Sequence, residues 1–180
     1  MIYYVKVFGE KTGERIRLWT CRRINEGRIT TAGKLKLRKN SSVTVKKNGY
    51  MTTGEGTVTI REGCKITIEE GAGLIIGNDV GINCNCYIAV HEEVRIGDNT
   101  IFGPGVVVVD HDHDHRDPGG LKAGSYKTGS VSIGNNVWIG ANAVILRDTK
   151  IGDNSVIGAG CVVKGDIAPG TVVKRKDNEC

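Results

Sequence analysis

The chain has 180 residues, enough for one domain with its own core. Apolar residues make up 39% and charged residues 25%, a globular balance, and no run approaches the roughly 18 apolar residues that a membrane-spanning helix needs. The net charge of +5 comes from Lys and Arg scattered along the chain, which excludes a concentrated nucleic-acid footprint.

Aromatic residues are only 5% of the chain, Gly is abundant at 26 and Pro scarce at 3. A core with so few rings must be built from Val, Ile, Leu and Ala, which suits short stacked strands better than a helical bundle. The six cysteines, Cys21, Cys64, Cys84, Cys86, Cys161 and Cys180, match no zinc-ribbon or CxxC spacing. They are expected to be free thiols in a reducing compartment. The opening Met1-Ile2-Tyr3-Tyr4-Val5-Lys6 has too short an apolar run for a secretory signal, so a cytoplasmic protein is expected.

In chain order, residues 1–27 form an N-terminal cap segment, in which a short helix is possible between about Gly9 and Glu26. Residues 28–180 form the main domain. Its early part, with Leu35/Leu37, Val43/Val45, Val58/Ile60 and Ile66/Ile68, alternates as strands do and predicts irregular first coils. A six-residue period then takes over at Ile76-Gly77, Ile82 and Ile88. It slips by two residues and resumes at Ile96-Gly97, Phe102-Gly103 and Val108. It is cleanest at Ile133, Ile139, Ile145, Ile151, Ile157 and Val163. Four residues after each of these come Val137, Ala143, Thr149, Ser155, Cys161 and Ile167.

The period has a physical reading. One hexapeptide makes a short strand and a turn, and cannot bury its aliphatic residue alone. Three make a triangular coil with the aliphatics on the axis, and stacked coils satisfy one another's backbone groups. Asn78-Asp79, Asp98-Asn99, Asn135-Asn136 and Asp153-Asn154 are turn dipeptides that tolerate left-handed backbone angles. A strict period of six drifts around an α-helix, so an all-β parallel solenoid is expected.

The stretches Ile133-Gly-Asn-Asn-Val-Trp-Ile-Gly140 and Ile151-Gly-Asp-Asn-Ser-Val-Ile-Gly-Ala-Gly160, with Asp166-Ile167-Ala168-Pro169 after them, resemble the hexapeptide-repeat acyltransferases. Within that superfamily they are similar to the maltose and galactoside O-acetyltransferases and the polysaccharide O-acetyltransferases. The resemblance covers roughly residues 76–173. It implies a left-handed parallel β-helix and a homotrimer with sites between subunits. It also implies acetyl-CoA as co-substrate and a sugar or other glycan as acceptor, with no metal.

Titratable groups crowd in Asp110-His111-Asp112-His113-Asp114-His115. In an extended strand the three His share one face and the three Asp the other. Val108 has the parity of the Asp residues, so the His are expected to point outward. Acetyl transfer to a hydroxyl needs a general base, a task suited to His. The resemblance, counted from Ile96 without gaps, assigns that role to His113 and places His111 and His115 beside the acceptor. It further implies an acceptor contact for Asn85, although a turn Asn is an equal reading. The family's acidic residue near 89–91 is replaced here by Ala89, Val90 and His91, with Glu92 and Glu93 displaced.

On the cofactor side the resemblance implies Trp138 beside the pantetheine arm, Gly140, Ala159 and Gly160 as close-approach positions, and the backbone N–H of Ala141 as oxyanion donor. Lys164 is read as a further CoA contact, where the family usually has Thr-Lys instead of Lys164-Gly165. The cationic tail Lys174-Arg175-Lys176 departs from the family's usual end. An insertion at 114–130 is expected to wall the acceptor pocket. Two other readings of the fold remain open: a γ-carbonic-anhydrase-like metalloenzyme, and a non-catalytic structural β-helix.

Overall fold

A computed structural model describes residues 29–175. The expected cap segment 1–27, with its possible helix, and residues 176–180 lie outside the described residues. The chain winds as a triangular coil. The first turn is β1 (Ile29–Thr31), β2 (Lys34–Leu37) and β3 (Ser42–Val45), and the second is β4 (Tyr50–Thr53), β5 (Thr57–Ile60) and β6 (Lys65–Ile68). The third is β7 (Gly73–Ile76), β8 (Gly81–Ile82) and β9 (Tyr87–Val90), and the fourth is β10 (Glu93–Ile96), β11 (Ile101–Phe102) and β12 (Val107–Val109).

The chain then leaves the coil as a hairpin, β13 (His111–His113) and β14 (Tyr126–Thr128), with a short 3-10 turn at Gly120–Ala123 between them. It re-enters as β15 (Val131–Ile133), β16 (Trp138–Ile139), β17 (Val144–Ile151), β18 (Val156–Ile157), β19 (Val162–Ile167) and β20 (Val172–Val173). All coil strands pair in parallel with the turn above and below. This is the expected all-β parallel solenoid, of about six turns.

The periodic aliphatics form three axial columns, one per face. The first face stacks Ile76, Ile96, Ile133 and Ile151 in register. The second stacks Ile60, Ile82, Phe102, Ile139 and Ile157. The third stacks Ile66, Ile88, Val108, Ile145 and Val163. All are buried, and each fully buried side chain of this size contributes about 1.5–3 kcal/mol of transfer free energy. Val137, Ala143, Thr149, Ser155 and Cys161 fill the space behind the corners and are also buried.

The corner between the first and second faces is a ladder of Asx residues. Asn78 N–H donates to Asp98 Oδ1 (2.7 Å), Asp98 N–H to Asn135 Oδ1 (2.8 Å) and Asn135 N–H to Asp153 Oδ1 (2.7 Å). The residues that follow, Asp79, Asn99, Asn136 and Asn154, have φ between 53° and 59°, as the turn dipeptides predict. The first two turns are longer but regular, which corrects the irregular coils expected there. Ile29 pairs with Met51 and Met51 with Leu74, whereas Val131 pairs with Thr149 at the hexapeptide spacing. Four-residue strands with two inward side chains replace the two-residue strands of the later turns. Cys64, Cys86 and Cys161 are buried free thiols and Cys84 a half-buried one.

Candidate active site

The edge where the third face meets the first carries the histidines. The two-residue slip of the period falls here, because β9 runs to Val90 and His91-Glu92 make the corner. The carboxylate of Asp110, fully buried, closes that corner by accepting the N–H of His91 (2.7 Å) and of Glu92 (2.8 Å). Backbone donors held this way satisfy a buried carboxylate. The hairpin rises immediately after it. β13 and β14 are antiparallel, with His111 opposite Thr128, Asp112 opposite Lys127 and His113 opposite Tyr126. The excursion therefore begins ahead of the expected 114–130 insertion.

Four rings gather on one side of this hairpin. His91 stacks on His111, centroids 3.5 Å apart and planes at 25°. Tyr126 tilts against His91 at 4.5 Å, meets His111 edge-on at 5.3 Å and lies 4.8 Å from His113. Burial, and next the charge of a protonated His111, hold the His91 imidazole below the ordinary histidine range. His111 Nδ1 is buried, 3.4 Å from Asp110 Oδ1, without hydrogen-bond geometry. His111 is thus half-buried against the coil, whereas His113 and His115 are exposed. His115 lies beyond the strand in a turn, its N–H donating to His113 O (3.1 Å). Neither His91, noted in the sequence only as a replacement for an acidic residue, nor Tyr126 is among the expected site residues; the slip of the period at His91 is the available signal.

The opposite side of β13 is charged. Asp112 accepts a hydrogen bond from Arg147 Nε (2.6 Å), and Arg147 also pairs with Asp148. The bond from Arg147 holds the Asp112 carboxyl below the usual carboxylate range, with lesser help from the charges of Arg147 and Lys164. Lys127 pairs with Asp114 at 3.0 Å.

The other predicted residues lie on the second face and the edge where it meets the third. Asn85 (φ 59°), Gly105 (φ 70°), Asn142 (φ 56°) and Gly160 (φ 69°) are one column of left-handed corner residues. Each N–H in that column donates to the coil before it, Asn85 to Glu62 O (2.9 Å) and Gly160 to Ala141 O (2.8 Å). Trp138 is 58% exposed on the second face, in register between Ile101 and Val156. Gly140 is buried, and a Cβ there would stand 2.5 Å from Ala159 N, so the coils close only with Gly. Ala141 and Ala159 follow at the same corner of successive turns, and Lys164 is exposed near the hairpin edge. The structure therefore brings Asn85, Gly140, Ala141, Ala159 and Gly160 together on one edge, beside Trp138. It sets His91, His111, His113 and Lys164 on another, with the third face between. Among the described residues there is no group of three or more His, Cys, Asp or Glu arranged to hold a metal ion, and no helix long and apolar enough to cross a membrane.

The family described as bacterial transferase hexapeptide (six repeats) matches residues 130–165. The galactoside O-acetyltransferase of Escherichia coli K12 is 41% identical over 104 residues, which are 57% of this chain and 50% of that protein. The chain thus spans about half the length of the curated relatives it matches. A solved galactoside acetyltransferase in complex with coenzyme A superposes with a TM-score of 0.55 at 25% identity, covering 86% of this chain and 65% of that one. An N-acyltransferase of Bacillus cereus, AntD, in complex with dTDP and coenzyme A, shares the fold with a TM-score of 0.60 at 16% identity, over 89% and 83% of the two chains. The repeat, the stacked columns and these superpositions agree: the chain has the fold of these acyltransferases, and its residues 130–165 are similar to the transferase hexapeptide family.

Proposed function

We propose that the protein is an acetyl-CoA-dependent O-acetyltransferase acting on a hydroxyl of a sugar or glycan. The observation that carries this reading is a strand bearing His111 and His113 that projects from a coil whose next turns match the transferase hexapeptide. His113 is exposed where an acceptor can reach it. It takes the hydroxyl proton as the oxygen attacks the thioester carbon. A C–O bond forms, and the tetrahedral oxyanion is met by the backbone N–H of Ala141. The C–S bond then breaks, and the leaving thiolate of CoA recovers the proton. Trp138, Gly140, Ala159, Gly160 and Lys164 hold the cofactor. Asn85, His111 and His115 flank the acceptor.

The split of these residues between two edges of the prism supports a site shared between copies. The histidine edge of one copy facing the Asn85 edge of the next completes the constellation, and a closed threefold ring lets every copy do so. The working form is then a homotrimer, acting in the cytoplasm where acetyl-CoA is available. Likeness to enzymes named for galactosides, and to an N-acyltransferase solved with dTDP, points to a sugar acceptor.

The test is thiol release from acetyl-CoA against a panel of galactosides, glucosides and nucleotide sugars, with light scattering on the same sample. Acceptor-dependent release by a trimer is expected. Absence of both acceptor-dependent release and calorimetric CoA binding overturns the reading.

A further inference from the structure

β13 and β14 form a two-stranded sheet separate from both sheets of the coil. The angle at which it presents His113 is therefore not set by coil pairing. Two backbone bonds tie its base, from Gly129 N–H to Asp110 O (2.9 Å) and from Asp148 N–H to Gly129 O (3.2 Å). A Cβ on Gly129 would stand 1.9 Å from Asp148 Oδ1, so the hairpin base sits tightly on the coil corner. These backbone ties act at the base of the hairpin, and the strand beyond it is held by side chains, among them the stack of His111 on His91.

Arg147 supplies the tie on the other side of the strand. It occupies the corner within β17, where the strand pairing shifts between Ile145 and Thr149. Its Nε binds Asp112 of the hairpin and its Nη1 binds Asp148 of the coil, with the side chain only 21% exposed. The planar guanidinium spans the two carboxylates in a fixed fork. Asp112 lies between His111 and His113 and points to the opposite side of the strand from both. Holding Asp112 from behind fixes the face that carries the rings. An exposed ion pair contributes little to global stability, whereas a misplacement of about 1 Å at a reacting group costs up to 100-fold in rate.

We propose that Arg147 is a positioning residue which, through Asp112, holds the β13 strand so that His113 meets the acceptor hydroxyl. The inference rests on the reading of His113 as the base.

The experiment compares Arg147→Met, Arg147→Lys, Asp112→Asn and the double variant Asp112→Asn/Arg147→Met, with His113→Ala as reference. For each, kcat, acceptor KM, acetyl-CoA affinity and Tm are measured. Arg147→Met is expected to lower kcat roughly 10- to 100-fold, with acetyl-CoA affinity and Tm nearly unchanged. Asp112→Asn, which removes the charge that draws Arg147, should lower kcat in the same direction, and the double variant should lose no more than Arg147→Met alone, because both act on the same Arg147–Asp112 pair. Arg147→Lys, which reaches one carboxylate at a time, should recover part of kcat. Wild-type kcat in Arg147→Met, or losses that add in the double variant, overturns the clamp. If Arg147→Met does not fold, Asp112→Asn, equal in shape and lacking only the charge, decides by the same criterion. If His113→Ala keeps full turnover, the base assignment fails instead, and the two failures are separate.

Discussion

The imidazole of His91 lies on that of His111 at 3.5 Å, although one belongs to the coil and the other to the projecting strand. Two protonated rings at that distance repel, so the stack requires at least one neutral partner. Burial makes His91 that partner. Asp110 fixes the His91 backbone from beneath, so the first residue of β13 rests on a prepared surface.

Acid should therefore loosen the hairpin. His91 in the folded chain titrates below its ordinary value of 6.5, which the unfolded chain restores. Between those values the unfolded state binds more protons. The stability gained by keeping the ring neutral is present above pH 6.5 and is lost as pH falls through the folded value. Thermal melts from pH 8 downward should show wild type losing more Tm on acidification than His91→Gln. Parallel curves for the two proteins would show that this ring does not report pH.

Phe102 is the one aromatic residue among the largest fully buried side chains, stacked between Ile82 and Ile139 on the second face. Stacked coils transmit the loss of one layer to both neighbours. Phe102→Ala should cost about 3–5 kcal/mol in urea unfolding, and Phe102→Leu distinctly less. A loss below about 1 kcal/mol would mean that the turns slide to fill the gap.

Much of this architecture is legible because the period of six leaves one aliphatic per face. Ile76, Ile82 and Ile88, like Ile133, Ile139 and Ile145, name three columns in chain order, and each stacks as read. In the first turns each strand carries two inward residues, such as Leu35 and Leu37. The period of two then hides the longer period of the coil. The hairpin was half legible: the alternating His and Asp read as a strand, but its partner Tyr126–Thr128 is polar and exposed on both sides. No periodic burial marks such a strand. The parity argument turned the His outward. It holds for exposed His113, whereas His111 is drawn against the coil by a ring 20 residues earlier in the chain. Contacts at that separation leave no local pattern. Arg147 was silent for the same reason, since its partner Asp112 lies 35 residues away.

Asn85 can be separated into its two roles. Its φ of 59° is the left-handed conformation of its column, in which Gly105 and Gly160 also stand. Asn85→Gly keeps that backbone and removes only the side chain, whereas Asn85→Ala also strains the corner. If the side chain contacts the acceptor, both variants should raise acceptor KM alike while only Asn85→Ala lowers Tm. A normal KM in Asn85→Gly would make Asn85 a corner residue and nothing more.

The three histidines of the tract are now structurally distinct, so their replacement gives distinct expectations. His113 is exposed, on β13, next to Tyr126 and opposite it in register. His111 is half-buried in the stack with His91. His115 is in the turn beyond the strand. His113→Ala should reduce kcat by roughly 100-fold or more, the scale of lost general-base catalysis, with acetyl-CoA affinity unchanged. His111→Ala should lower kcat less and Tm more, because it removes one half of the stack that seats the hairpin. His115→Ala should be the mildest of the three. A chelator should leave wild type unaffected if proton transfer alone is the task of this tract. Each variant is assayed for turnover, acetyl-CoA binding and Tm, with and without chelator. Should His111→Ala be inactive at unchanged Tm while His113→Ala turns over normally, the base is the residue beside Asp110, and the acceptor must enter over His91. Should all three variants keep turnover, the proton leaves by another group and the hairpin serves binding alone.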